Sequence, residues 1–249
     1  MKLSLSVAFV AALCLGCAAA GPPAPSYNYV IVHGAWGGGW DWKVMDSLLT
    51  AQGHHVHRVT LTGLGERVHL ASGNIGLTTH IDDVVNTIQF EELKDVVLVG
   101  HSYGGMVITG VADRIPERLR AVIYMDAFLP ESGESALSLV GTQGAAFFTA
   151  NAKDGLIVPP WVPAGAAIPK DVPHPLKTFI DTLRLTNPAA RNVKGSYILT
   201  MEKGATRDDF SIHADRAKAR GWPVHQMTAD HVPERSARGE LLKLLLQVP

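Results

Sequence analysis

Short apolar runs rich in β-branched residues alternate with longer amphipathic stretches along most of this chain. The runs have the length of buried strands, and the longer stretches repeat apolar residues every three to four positions, as helices do. The predicted strands are residues 27–33, 54–61, 95–101, 119–128, 195–201 and 223–228, and the predicted helices are 40–53, 78–93, 103–116, 208–221 and 233–247. Strands that alternate with helices pair in parallel through right-handed crossovers. The pattern predicts an α/β fold in which helices flank about six mostly parallel strands.

The alternation is interrupted between about residues 130 and 195, where Pro, Gly and Ala are frequent. Four predicted strands precede this stretch and two follow it, so we expect a single domain over residues 28–249 with a cap inserted at about 130–195. Phe147, Phe148 and Trp161 lie in the cap. These aromatic side chains could contact a substrate or pack the cap onto the core.

The N-terminal segment has the composition of an export signal. Lys2 precedes an apolar run that ends in small residues, the order found in cleavable signals. This run is too short to span a membrane, for which roughly twenty residues are needed. The interpretation is an export signal over 1–20, cleaved after Ala20, with a Gly/Pro linker at 21–27 and a periplasmic or secreted product. The alternative is a lipid anchor at Cys17, although Cys14 stands where such signals usually carry Leu.

Cysteine content and charge exclude several classes of function. Both cysteines, Cys14 and Cys17, lie inside the predicted signal, so a cleaved protein has no disulfide, catalytic thiolate or cysteine metal site. The net charge is −1 at pH 7 and the basic residues are scattered, which argues against a nucleic-acid partner. The expected partner is a small molecule, and the expected state is a monomer or a homodimer.

One serine stands at a predicted strand-to-helix junction. Gly100, Ser102 and Gly104 fit the pattern G-x-S-x-G. At such a junction the pattern forms a nucleophile elbow, a strained turn whose glycines allow close approach of neighbouring chain segments. Ser102 is therefore the candidate nucleophile.

A serine hydroxyl needs a base within hydrogen-bond reach, and in this arrangement the base follows late in the chain. Three histidines follow the cap. His213 falls inside a predicted helix, where we expect it to face solvent, and His225 falls within a strand. His231 lies in the loop after the last strand, at the sheet edge where active sites gather. We predict that His231 is the base.

A carboxylate should orient the imidazole of His231. Asp126 ends the strand after the nucleophile helix, an unusual place for a carboxylate unless it faces the site or caps the next segment. Glu202, Asp208 and Asp209 follow a later strand and are the alternatives. Asp208 and Asp209 can equally be residues that favour a helix N-terminus. Asp126 is preferred.

An oxyanion hole requires two backbone N–H donors. Tyr103, directly after the nucleophile, and Ala35, in the glycine-rich loop after the first strand, are the candidates. That loop is followed by neither a G-x-G-x-x-G pattern nor a Walker lysine, so no nucleotide cofactor is expected. His55 and His57 share one strand face but have no evident third ligand, so we expect two surface histidines and no metal.

Taken together, these motifs resemble the α/β-hydrolase superfamily, in particular the branch with plant hydroxynitrile lyases, plant methyl-ester esterases and many bacterial esterases. The resemblance rests on "YVIVHGAWGGGWDW", "LTGLGER", "VVLVGHSYGGMVITGVADRIPERL", "YMDAFLP" and "DHVP". It implies an α/β-hydrolase fold with a six-stranded parallel core, a cap over a mostly apolar pocket, and no cofactor.

Three departures from the family pattern affect the expected activity. The plant lyases carry threonine where this chain has Gly34, and a lysine just after the histidine where this chain has Val232. Without that lysine no cation receives developing cyanide, so lyase activity is not expected. Plant members place the acid where this chain has Lys203, which favours Asp126.

The sequence thus predicts an exported serine carboxylesterase that hydrolyses small or aromatic esters through an acyl-enzyme. Two alternatives remain open. One is hydrolysis of lactones or amides by the same three residues, and the other is a ligand-binding protein without catalysis, since a fold alone does not establish function.

Overall fold

The computed structural model describes residues 25–247. The predicted export signal, both cysteines and most of the predicted linker lie outside the described residues. Within them, no helix is both long enough and apolar enough to cross a membrane.

The core of the described chain is a six-stranded sheet in which all neighbouring strands are parallel. The strands of the structure, in chain order, are β1 (Asn28–Val32), β2 (His55–Val59), β3 (Val96–His101), β4 (Leu119–Met125), β5 (Ala152–Lys153), β6 (Leu156–Ile157), β7 (His174–Pro175), β8 (Lys194–Met201) and β9 (Val224–Thr228). The large sheet has the order β2-β1-β3-β4-β8-β9, and β5, β6 and β7 form a small antiparallel sheet. The prediction of an α/β fold with six mostly parallel strands is confirmed.

Helices cover both faces of the large sheet. They are α1 (Lys43–Ala51), α2 (Leu77–Phe90), α3 (Gly104–Arg114), α4 (Ala136–Leu139), α5 (Gly141–Ala150), α6 (Lys177–Ile180), α7 (Ser211–Ala219), α8 (Pro233–Ser236) and α9 (Arg238–Leu245). Side chains of β1 alternate between two apolar clusters: Tyr29 and Ile31 pack with α1 and α9, whereas Val30 and Val32 pack with α2, α3 and α7. This alternation is the two-residue period of a strand buried on both faces.

The C-terminal segment differs from its prediction as one helix over 233–247. Ala237 adopts φ −136° and ψ 40°, which lie outside the helical region, so the chain forms α8 and α9 instead. The break sets α8 directly after the loop that carries His231, while α9 covers the sheet.

Between β4 and β8 the chain leaves the sheet and forms α4, α5, the small sheet and α6. Phe148 of α5 and Phe179 of α6 pack against Trp36 in the loop after β1. This inserted segment therefore contacts the same edge of the sheet at which β1 and β3 end.

Candidate active site

Ser102 occupies the turn between β3 and α3 with φ +53°, a left-handed conformation that is costly for a residue other than glycine. Glycines make the turn possible, because a Cβ added at Gly104 would lie 2.7 Å from the Val32 carbonyl oxygen. A Cβ added at Gly105 would lie 2.0 Å from the Phe128 carbonyl oxygen. The Phe128 N–H in turn donates to the Ser102 carbonyl oxygen at 3.1 Å. Packing of neighbouring backbone thus holds the serine in a strained position.

The side chains of Ser102, His231 and Asp126 form a continuous hydrogen-bonded line. Ser102 Oγ lies 2.9 Å from His231 Nε2, and His231 Nδ1 lies 2.6 Å from Asp126 Oδ2. An ionised carboxylate can only accept, so Nδ1 carries the proton and Nε2 is free to accept the serine hydroxyl proton. Such a line can move a proton from the serine to the imidazole while the carboxylate stabilises the charge.

Asp126 follows β4 directly, is 1% exposed and has φ +43°. Its N–H donates to the Ile198 carbonyl oxygen at 2.7 Å, and its Oδ1 accepts from the Thr200 N–H at 3.1 Å. The backbone of β8 therefore fixes this carboxylate, and Oδ2 remains available for His231.

The alternative acids are placed elsewhere. Asp208 Oδ1 accepts from the Phe210 N–H at 2.8 Å just before α7, and burial raises the pKa of its carboxyl. Glu202 and Asp209 are exposed, and among the described residues neither is hydrogen-bonded to His231. The structure brings Asp126, and not these three residues, to the imidazole.

The other two histidines considered as bases lie apart from Ser102. His225 is half-buried in β9. The expectation that His213 faces solvent is wrong: it is 1% exposed, and its Nδ1 accepts from the Leu129 N–H at 3.3 Å. Burial lowers the pKa of His213 to about 4, so the ring is neutral near pH 7.

Two backbone N–H groups beside Ser102 are free to act as donors. Within the described chain, neither the Ala35 nor the Tyr103 N–H donates a hydrogen bond, whereas the N–H of Trp36 donates to His174. Gly34 brings the Ala35 loop close to the serine, because a Cβ added there would lie 3.2 Å from Ser102 Cβ. Two free N–H groups next to a hydroxyl can stabilise an oxyanion formed at that position.

Aromatic rings surround this arrangement. Phe210 stacks on His231 with centroids 4.8 Å apart and planes 12° apart. On the loop that carries Ala35, Trp36 contacts Phe148 and meets Trp161 edge-on at 4.9 Å. Phe148 is partly buried in the core cluster, whereas 51% of Trp161 is exposed. Phe148 thus packs the inserted segment onto the core, which is one of the two expected roles, and contact of a cap aromatic with a substrate stays a prediction.

Sequence reasoning missed a group of buried neutral histidines around the elbow. Burial lowers the pKa of His33 and of His80 to about 4, and that of His101 and His174 well below the ordinary value. The rings are bonded internally; His80 Nδ1, for example, lies 3.0 Å from the Tyr103 hydroxyl. The only available signal was their position inside apolar segments.

The histidines considered for a metal lie on the surface side of β2, where His55 is exposed and His57 is half-buried. Over residues 25–247, no three His, Cys, Asp or Glu side chains converge as metal ligands would.

Comparison with known proteins connects this geometry to named relatives. Over 113 residues the chain is 55% identical to "Carbendazim hydrolyzing esterase" of Nocardioides sp. (strain SG-4G), covering 45% of this chain and 47% of that protein. Over 119 residues it is 33% identical to "Methylesterase 1" of Arabidopsis thaliana, covering 43% of this chain and 42% of that protein. The alignments thus span less than half the length of these relatives.

The fold is also found in a solved structure. An extracellular alpha/beta-hydrolase from a Paenibacillus species, described as structurally and functionally homologous to Tobacco Salicylic Acid Binding Protein 2, superimposes with a TM-score of 0.76 and 21% identity. The match covers 89% of this chain and 98% of that one. The family model described as "Alpha/beta hydrolase family" matches residues 29–244. Because this match covers most of the chain and includes Ser102, Asp126 and His231, the chain belongs to the alpha/beta hydrolase family.

Proposed function

We propose that this protein hydrolyses carboxylic esters through an acyl-enzyme formed on Ser102. The observation that carries the proposal is the line from Ser102 Oγ through His231 to Asp126, with contacts of 2.9 and 2.6 Å. Both distances are within the range of the hydrogen bonds that join a nucleophile, a general base and an orienting carboxylate. Two relatives whose printed names contain "esterase" support the same chemistry.

In the proposed mechanism, Ser102 Oγ attacks the ester carbonyl while its proton passes to His231 Nε2. The tetrahedral oxyanion accepts hydrogen bonds from the Ala35 and Tyr103 N–H groups. His231 then gives the proton to the leaving alcohol. A water deprotonated by the same nitrogen attacks the acyl-enzyme, and His231 returns this proton to Ser102 Oγ as the acid leaves. Asp126 stabilises the transient imidazolium through Nδ1 and keeps the ring in one orientation.

The residues next to His231 favour hydrolysis over cyanohydrin cleavage. Val232 follows the histidine, and the first cation after it is Arg235, whose guanidinium pairs with Asp41 and lies over the Trp40 ring. A paired guanidinium is poorly suited to receive a leaving cyanide. Gly34 has no side chain to crowd the serine, because a Cβ added there would lie 3.2 Å from Ser102 Cβ.

The proposed substrates are small or aromatic esters. Trp36 directly follows the oxyanion donor Ala35, and Trp161 and Phe148 extend the aromatic surface. Such surfaces bind planar apolar groups with little polar contact. The relatives' names, "Carbendazim hydrolyzing esterase" and "Methylesterase 1", support small-molecule esters as the substrate class.

Hydrolysis of p-nitrophenyl acetate and butyrate tests the proposal. We expect turnover by the wild type, a loss of at least about 10³-fold in kcat for Ser102→Ala, and about 10³–10⁴-fold for Asp126→Asn. Asp208→Asn is the matched control and should keep its activity. Equal rates for the wild type and Ser102→Ala would contradict ester hydrolysis. Assays with a lactone and an amide test the first alternative, hydrolysis of these bonds by the same residues. Ligand binding that Ser102→Ala retains would support the second alternative, a binding protein without catalysis.

We also propose that the protein is exported, on the basis of the N-terminal composition; the extracellular Paenibacillus hydrolase supports this location. Intact mass spectrometry of protein expressed with its full N-terminus tests it. A mass that starts at Gly21 supports cleavage after Ala20, a lipid-modified Cys17 supports the anchored form, and retained residues 1–20 contradict both.

A further inference from the structure

His101 connects the nucleophile elbow to the histidine loop. It precedes Ser102, is 4% exposed, and its Nε2 lies 2.7 Å from the His231 carbonyl oxygen. A carbonyl only accepts, so His101 Nε2 must carry a hydrogen and donate. The two imidazole rings also contact each other, with centroids 4.8 Å apart. The residue beside the nucleophile thus holds the main chain of the histidine that serves the nucleophile.

The other nitrogen of His101 faces a buried acid. Glu234 lies in α8, three residues after His231, and is 2% exposed. Its Oε1 lies 3.8 Å from His101 Nδ1, which is contact distance but longer than a hydrogen bond. Burial raises the pKa of Glu234 from 4.5 to about 8 and lowers that of His101 well below 6.5, so both groups are neutral near pH 7.

A neutral carboxyl beside Nδ1 selects one tautomer of the histidine. An uncharged carboxyl 3.8 Å away does not attract a proton to Nδ1. The proton of His101 then belongs on Nε2, where it donates to His231. An ionised carboxylate would instead favour a proton on Nδ1 and compete with that bond.

Fold stability does not account for Glu234. Its Oε2 has no hydrogen-bond partner among the described residues, and a buried polar atom of this kind destabilises the folded state. The space on this side of His101 is also tight, because a Cβ added at Gly34 would lie 3.0 Å from His101 Nδ1. A buried acid whose Oε2 has no partner among the described residues, and whose Oε1 contacts His101, is better explained by a role at the site than by packing.

We infer that His101 and Glu234 are positioning residues: Glu234 fixes the tautomer of His101, and His101 holds the backbone of His231 so that its imidazole reaches both Ser102 and Asp126. The inference rests on the proposed ester hydrolysis. Neither residue is hydrogen-bonded to the atoms that react, Ser102 Oγ and His231 Nε2, so we expect each to act on kcat and to leave substrate binding unchanged.

Opposite effects on activity and stability test the role of Glu234. For Glu234→Met we expect kcat to fall about tenfold with KM unchanged, because misplaced catalytic groups slow the chemical step. The same variant should gain a few degrees in Tm, because an unpartnered buried carboxyl is replaced by an apolar side chain of similar length. Glu234→Gln keeps the shape and an N–H donor and should retain kcat within about threefold. Wild-type kcat in Glu234→Met, or equal kcat in both variants, overturns the inference.

A second pair of variants addresses His101 directly. His101→Met has a similar size without a donor and should lose about tenfold or more in kcat. His101→Gln retains an N–H donor and should recover part of the loss at unchanged KM. Equal kcat in the two variants contradicts the positioning role.

The tautomer of His101 is measurable on the folded wild type without any variant. Long-range ¹H–¹⁵N spectra of the imidazole should show the hydrogen on Nε2 near pH 7, and a hydrogen on Nδ1 would overturn the inference even if every variant unfolds. Failure of the proposed function is recognised separately, as wild-type turnover equal to that of Ser102→Ala.

Discussion

Replacing His213 is expected to reduce the loss in free energy of unfolding that occurs when the pH falls from 7 to 5. The ring is 1% exposed, its Nδ1 accepts from the Leu129 N–H, and Phe128 meets it edge-on at 5.5 Å. Burial lowers its pKa from 6.5 to about 4. The folded state therefore keeps this ring neutral at pH values where the unfolded chain protonates it.

The sign and the size follow from linkage. Between pH 6.5 and pH 4 the unfolded state binds more protons at this position, so the free energy of unfolding falls as the pH falls. From pH 7 to pH 5, a shift of this size corresponds to about 2 kcal/mol. Asp41 and Glu234, whose pKa values burial raises to about 6 and about 8, act in the opposite direction. Their contributions cancel when the wild type is compared with a His213 variant.

Urea unfolding of the wild type and His213→Gln at pH 7 and pH 5 measures the effect. The glutamine can still accept from Leu129 but does not titrate, so its loss of stability over this range should be smaller by about 2 kcal/mol. His55→Gln, at an exposed position, is the matched control and should lose as much as the wild type. Equal losses in His213→Gln and the wild type would refute a neutral buried ring.

Two further predictions concern glycines at the elbow. Gly105→Ala places a Cβ 2.0 Å from the Phe128 carbonyl oxygen, so we expect about 1–3 kcal/mol of destabilisation in urea unfolding and a lower kcat; a stable, fully active variant would contradict the close approach. Gly34→Thr places a branched Cβ 3.0 Å from His101 Nδ1 and 3.2 Å from Ser102 Cβ, so ester hydrolysis should fall at least about tenfold in kcat. Unchanged kcat with p-nitrophenyl acetate would show that the Ala35 loop does not need this proximity.

The sheet and the Ser102 turn were predictable because their signals are local. The central strands β1, β3 and β4 are apolar runs whose alternate residues meet the two helical layers, and the glycines around Ser102 stand in the motif itself. Asp126 was preferred because of its unusual position, a carboxylate at the end of a buried strand, and it lies 2.6 Å from His231 Nδ1. These features depend on residues within a few positions of one another.

The side chains that α7 buries could not be predicted in the same way. This helix has no apolar stripe: Ile212 is 50% exposed, whereas His213 faces the core with Ala214 and Ala217. A histidine enters the core because Leu129 and Phe128, more than eighty residues earlier in sequence, provide its partners. Sequence periodicity carries no information about such distant contacts.

Long-range pairing also explains why the surroundings of His231 were missed. His101 and Glu234 are far apart in sequence and meet only when α8 packs behind the elbow. The helix breaks at Ala237, a residue type that usually favours helix, so the break was not predicted. Phe210 reaches His231 from the loop before α7 in the same manner.

Labelling of Ser102 by a fluorophosphonate, followed by peptide mass spectrometry, tests most directly whether this hydroxyl is activated. We expect one label per wild-type chain on the peptide that contains Ser102, and labelling slower by about 10³-fold or more in His231→Ala, which removes the base. Labelling at another residue, or an equal rate in His231→Ala, would contradict the account.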